Sequence, residues 1–238
     1  MNPTSGVISE AFELYKKHFL HLFVIAAVVY VVIALLTLIF ISLGGILGAI
    51  LAAILSIIGL FLVQAALVEA VADIRDGRAD MSVGDTLSSG VKHIAPVAGA
   101  SILAGFAIVI GLLLLIVPGL FLITIWAVIV PVIVLERSGA MSSFARSRQL
   151  VSGYGMNVFG VIVIQFLILI AVGIVLGLIL GALPDAIEGF LSSVISGGIT
   201  GPFSALVVTL LYFRLKAAQE GGGTTPSSPE APPPPAAP

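Results

Sequence analysis

The chain has 238 residues, 59% of them hydrophobic and 9% charged, with a formal net charge of −2. Globular domains carry about 25% charged residues, so this chain lacks the charge to cover a soluble protein's surface. The same balance does not suggest nucleic-acid binding, and no basic face or stacking aromatic cluster supports it; the absence of cysteine excludes disulfides, thiolate metal sites and a cysteine nucleophile.

Residues 4–18, TSGVISEAFELYKKH, set Val7, Ile8, Ala11, Phe12, Leu14 and Tyr15 at helical spacing, with Glu10, Glu13, Lys16 and Lys17 over much of the rest. The pattern predicts a short amphipathic helix at a membrane interface, capped by Thr4 or Ser5. The apolar run at about 19–43 is longer than the ~7–15 residues of a signal-peptide core, so it reads as a retained first span. Gly44-Gly45 is the break, and a second span covers about 46–70, carrying Gln64 and Glu69. Residues 73–93 are polar and end in Lys92-His93. Spans at about 94–117 and 118–135 follow, with Pro118 in the first turn of the latter. Pro131 is expected to kink that helix by freeing the Ala127 carbonyl. An arginine-bearing segment, 136–157, leads to a fifth span at about 158–183. The acidic turn Pro184–Glu188 leads to a sixth at about 190–213. Residues 217–238, rich in Pro, Gly and Ser, read as a disordered tail, leaving 1–216 as the membrane domain.

The predicted fold is an all-α integral membrane protein of six transmembrane helices. They form three divergent hairpin repeats, each preceded by an amphipathic interfacial helix. Lys17-His18 and Lys92-His93 precede corresponding apolar runs, Gly45 and Gly119 sit in corresponding turns, and Glu69 and Glu136 end corresponding helices. With six spans, both termini and the two long loops share one side. All 10 lysines and arginines fall on it, which places that side in the cytoplasm.

Few residues carry chemistry. Ser89 and Lys92 match S-x-x-K without the companion motifs of acyl-transfer enzymes, and an interfacial helix accounts for them better. His18 and His21 are one helical turn apart but lack the third ligand a zinc site needs. Asp73, Asp76, Asp80 and Asp85 do not follow calcium-loop spacing and read as a solvated loop. Gln64 and Gln165 are the deepest strongly polar side chains, expected to hydrogen-bond between helices rather than hold a substrate. Small residues recur at i+4 in three rows: Gly44, Gly48, Ala52 and Ser56; Gly173, Gly177 and Gly181; and Ser193, Gly197, Gly201 and Ala205. Such rows let backbones approach closely in lipid, and the last two are expected to pack the fifth helix against the sixth. Glu136, at a helix end, faces two readings of Arg146 and Arg148. They could pin the following segment to it, or they could meet anionic lipid headgroups. No residue set implies a cofactor.

The run from Pro118 to Gly160 resembles the membrane domain attached to some bacterial glycerophosphoryl diester phosphodiesterases, and related prokaryotic membrane proteins. The matching residues are Pro118, Gly119, Trp126, Pro131, Glu136, Ala145, Arg146, Ser147, Leu150 and Gly153, and the opening FELYKKHF is similar to the family's start. Ile125 stands where a basic residue is expected, and one aromatic, Tyr154, where a pair is usual. The chain holds no acidic metal-binding cluster with histidines of the kind such hydrolysis needs. The resemblance therefore implies a fold and a prokaryotic plasma membrane, and no enzymatic activity. The expected function is a non-catalytic membrane protein that scaffolds or assists envelope or lipid-metabolism components. Its partners would be the lipid bilayer with its anionic headgroups and a membrane protein or a second copy. The alternative is a transporter or lipid-handling protein with a path between its repeats. A closed bundle favours the first, and a cavity reaching Gln64, Gln165 and Thr124 favours the second.

Overall fold

The structure, a computed structural model, describes residues 2–42, 44–77, 81–183 and 185–221, with the backbone alone at 185–188 and 221. Arg78, Asp80, Pro184, the side chains of Asp185 and Glu188, and the tail from residue 222 lie outside what is described. The described residues form eight helices: α1 Val7–Ser42, α2 Gly45–Arg75, α3 Val83–Leu114, α4 Ile116–Ile125, α5 Ile129–Glu136, α6 Ala140–Val151, α7 Gly155–Leu180 and α8 Asp185–Gly221. Six helical stretches among them are long and apolar enough to cross a membrane, α4 and α5 together forming one. The protein is an all-helical, multi-pass membrane protein.

The helix boundaries follow local chemistry. His18 leaves helical geometry (φ −114°, ψ 18°), dividing α1 where the amphipathic segment was expected to meet the first span. Gly44 and Gly45 both have positive φ (74° and 72°), which suits residues without a Cβ, and turn the chain from α1 into α2. The helix that carries the third span begins well before its apolar run at about 94. Ser82 caps a helix that runs unbroken from Val83, its hydroxyl accepting from the Asp85 backbone N–H (3.1 Å) and donating to the Asp85 carboxylate (2.6 Å). This reciprocal cap starts the helix inside the polar stretch, and Pro96 does not end it. Extended Leu115 separates α3 from α4, so the hairpin turns slightly before Pro118, which stays in the first turn of α4.

The interruption between α4 and α5 surrounds Ala127, the residue whose carbonyl Pro131 was expected to free. It lies at residues 126–128, and Pro131 sits in the first turn of α5. Proline has no N–H to bond the carbonyl four residues before it, so the defect appears upstream of the ring. Arg137 then ends α5 in the left-handed region (φ 51°). Glycine usually takes that place, and a side chain there costs roughly 1–2 kcal/mol.

α2 lies at the centre, packed on α1, α3, α5 and α8. One core joins α1, α2 and α8, and a second joins α2, α3 and α5. Burial is concentrated at the end that carries both chain ends. In α1 it stops at Val29, and in α2 it is nearly continuous only from Phe61 to Ile74. α7 is peripheral, with only Val158, Val161 and Leu180 buried.

The small-residue rows divide accordingly. A Cβ on Gly48 would strike the Phe40 backbone of α1, so that row does pack. A Cβ on Gly197 would meet the Tyr30 ring at about 2.5–2.9 Å, and one on Gly201 would lie 3.5 Å from Leu67. The α8 row therefore faces α1 and α2. A Cβ on Gly173 or Gly177 would meet nothing within 4 Å, and one on Gly181 would meet only its own helix at Gly177. The expected seam between the fifth and sixth helices is not where the small residues lie. Regular i+4 spacing marks a face without saying what covers it.

Candidate functional site

Glu136 is the last residue of α5, brought by the short Arg137–Gly139 turn beside α6. Arg146, ten residues on, faces back from the second and third turns of α6. Its Nε lies 2.9 Å from Oε2 and 3.2 Å from Oε1 of Glu136, and a terminal nitrogen lies 3.1 Å from Oε1. This is a two-pronged guanidinium–carboxylate pair, the strong geometry for such a contact. Tyr212 of α8 donates its hydroxyl to Glu136 Oε1 at 2.9 Å, and Lys216 stands 3.9 Å from the same oxygen. The hydrogen bonds to Glu136 raise the Arg146 pKa above its already high ordinary value, so its charge is permanent. Arg148 is exposed and makes no hydrogen bond or ion pair among the described residues. Of the two arginines only Arg146 pins the segment.

α6 is also seated on the defect between α4 and α5. An interrupted helix leaves carbonyls without partners. Fully buried Ser147 donates its hydroxyl to the Ile125 carbonyl at 2.9 Å, satisfying one of them. Phe144 meets Trp126 edge to face, ring centres 4.9 Å apart. At the far end of α6, the Gln219 amide of α8 reaches the carbonyls of Gln149, Leu150 and Ser152 at 3.0–3.4 Å. The last turn of α8 is thus continuous helix through Gly221, past the boundary at 216/217 expected from composition. A second brace closes the same end, where Arg214 of α8 pairs with Glu10 and with the Ser5 carbonyl.

Tyr212 and Gln219 escaped sequence reasoning because their partners are 67 to 76 positions away, and Ser147 was named only through the resemblance, its partner Ile125 lying 22 positions away. Tyr212 left one signal, a polar aromatic near the end of an apolar helix, which needs a hydrogen-bond partner when buried.

Deeper in the bundle, a cavity of about 310 Å³ lies between α1, α2, α5 and α8. Tyr30, Gln64, Thr200 and Ser204 provide its polar lining. A second, of about 430 Å³, shares Tyr30 and continues along the α1–α8 seam past Thr37, Ser56 and Ser193. Neither reaches Gln165 or Thr124. Thr124 instead returns its hydroxyl to the Leu120 carbonyl at 2.8 Å. Gln64 and Gln165 make no interhelical hydrogen bond among the described residues, contrary to expectation. The described residues bring together no group of three or more His, Asp or Glu that could hold a metal ion. In comparisons with protein-family models, curated proteins and solved structures, nothing matches this chain.

Proposed function

We propose that the chain is a non-catalytic integral membrane protein that scaffolds or assists components of envelope or lipid metabolism. It would lie in a prokaryotic plasma membrane with both termini in the cytoplasm, as three divergent hairpins with interfacial helices. The observation that carries this reading is the use made of its carboxylates. Glu136 ties α5 to α6 and α8, Glu10 ties α1 to α8, and Glu69 ties α2 to α3 through the Ser89 hydroxyl at 2.9 Å. A carboxylate held by several fixed partners acts as a strut, whereas one that carries protons or substrate must exchange its partners. Trp126, Glu136, Arg146 and Ser147, which carry the resemblance to the phosphodiesterase-type membrane domain, all belong to this brace. That favours a shared architecture over a shared reaction.

A second reading, lipid handling, is favoured by the seam cavities and by their mostly apolar walls. Photo-crosslinking in cells separates the two. A benzophenone amino acid is placed at Phe166 on α7 (62% exposed) or at Leu60 in the seam (43% exposed). Scaffolding predicts one discrete protein adduct at Phe166, identified by mass spectrometry as a particular membrane protein or a second copy. Lipid adducts alone at Phe166, with a stronger one at Leu60, reject scaffolding and favour lipid handling.

A further inference from the structure

At the charged end, and separate from the Glu136 brace, a cleft of about 380 Å³ opens where three elements meet. α2 contributes Glu69, α3 contributes Ser89, Lys92 and His93, and the α5–α6 turn contributes Arg137 and Ser138. The S-x-x-K spacing thus puts its hydroxyl and its amine on one wall. Ser89 donates to Glu69, and His93 Nδ1 lies 3.9 Å from the same carboxylate oxygen. That nitrogen is also 3.1 Å from the Ser89 carbonyl, an acceptor, so it carries the proton. Glu69 is therefore occupied by its neighbours on α3. Lys92 and Arg137 differ: among the described residues neither makes a hydrogen bond or ion pair. The two cations outnumber the single carboxylate in the cleft.

Arg137 carries a second signal. It holds a left-handed backbone conformation that glycine would adopt without strain. A charged side chain at such a position, lining a cleft beside an unpaired lysine, points to a ligand for both. We propose that the cleft binds a phosphate group, held by Lys92 and Arg137; the Ser138 hydroxyl beside them already donates to the Val132 carbonyl at 3.3 Å. Carboxylate and phosphate are the anions a guanidinium grips best, and two cations lining one cleft suit the more highly charged phosphate group. The group would come from an anionic phospholipid headgroup or from a free phosphate in solution. The inference rests on the chain's lying in a bilayer, and holds whether or not the protein is a scaffold.

The strained position supplies a clean test. Arg137→Gly removes the cation and relaxes the backbone, so the variant should be at least as stable as the parent without ligand. Lys92→Gln changes an exposed residue and serves as the independent variant. Purified protein in detergent is titrated with dioleoylphosphatidylglycerol, with a phosphate-free galactolipid of the same chains, and with inorganic phosphate, reading the melting midpoint and the lipid retained in native mass spectra. Phosphatidylglycerol should raise the parent's midpoint where the galactolipid does not, and each variant should weaken its apparent affinity about tenfold. A shift with inorganic phosphate that both variants lose supports the site with a soluble source. The proposal is overturned if neither phosphate source binds, if the galactolipid acts equally, or if Arg137→Gly keeps the parent's affinity.

Discussion

Glu136→Ala destabilises the bundle by about 2–3 kcal/mol in a reversible detergent assay, the largest loss expected from any single polar substitution. The side chain removed accepts from Arg146 and from Tyr212, so two groups from different helices lose their partner at once. A fully buried pair would cost more. Here Glu136 is 20% exposed and Arg146 29% exposed, so water softens the loss. Tyr212→Phe removes one hydrogen bond and costs about 1 kcal/mol. Arg148→Ala touches nothing in the brace and stays within about 0.5 kcal/mol of the parent. A cycle of Glu136→Ala with Arg146→Ala should show coupling above about 1 kcal/mol, since both remove the same contact. Losses that are equal for Arg146→Ala and Arg148→Ala would mean that α6 is held by lipid headgroups.

Gly90→Leu is expected to be at least as damaging, and Gly177→Leu to be harmless. A Cβ on Gly90 would lie 3.0 Å from the Ala66 nitrogen, 3.1 Å from its Cβ and 3.2 Å from its Cα. Backbone faces backbone there, between α3 and α2, so no flexible side chain can yield. Overpacking costs about 1–3 kcal/mol where a core can adjust, and this contact has little room to do so. Gly177 lies open on α7, where leucine also gains roughly 0.8 kcal/mol of helix propensity over glycine. Gly177→Leu should therefore melt at or slightly above the parent. The opposite ranking would put the tight seam on α7 and contradict the packing described above.

These two comparisons mark what the residues could say on their own. The spans were legible because length and apolarity suffice to define them, and the Gly44-Gly45 turn because two glycines in tandem favour positive φ. The pairing of Glu136 with Arg146 was legible as one of two open readings. Only ten residues separate them, and a short turn between two helices brings such a pair together. The interruption at 126–128 was legible because proline is visible in the sequence and the carbonyl it frees, that of Ala127, lies a turn earlier. The helix that carries the third span starts before its apolar run. Hydropathy changes near Ile94, but the helix is fixed by the Ser82 cap in polar sequence. The small-residue rows misled most. Lipid-facing and helix-facing glycines have the same spacing, and only tertiary structure tells Gly177 from Gly201.

A six-span bundle requires its braced end, with α1's start, the α2–α3 connection and α6, to lie on one side of the membrane. The chain has no cysteine, so single cysteines report without background. Ser88→Cys and Met141→Cys sit at the braced end, and Ile46→Cys and Val117→Cys, 82% and 76% exposed, sit in the opposite hairpin turns. Treating intact cells with a membrane-impermeant maleimide should label Ile46→Cys and Val117→Cys, and should label Ser88→Cys and Met141→Cys only after the membrane is opened. Labelling of Met141→Cys together with Ile46→Cys from the outside would contradict the six-span arrangement.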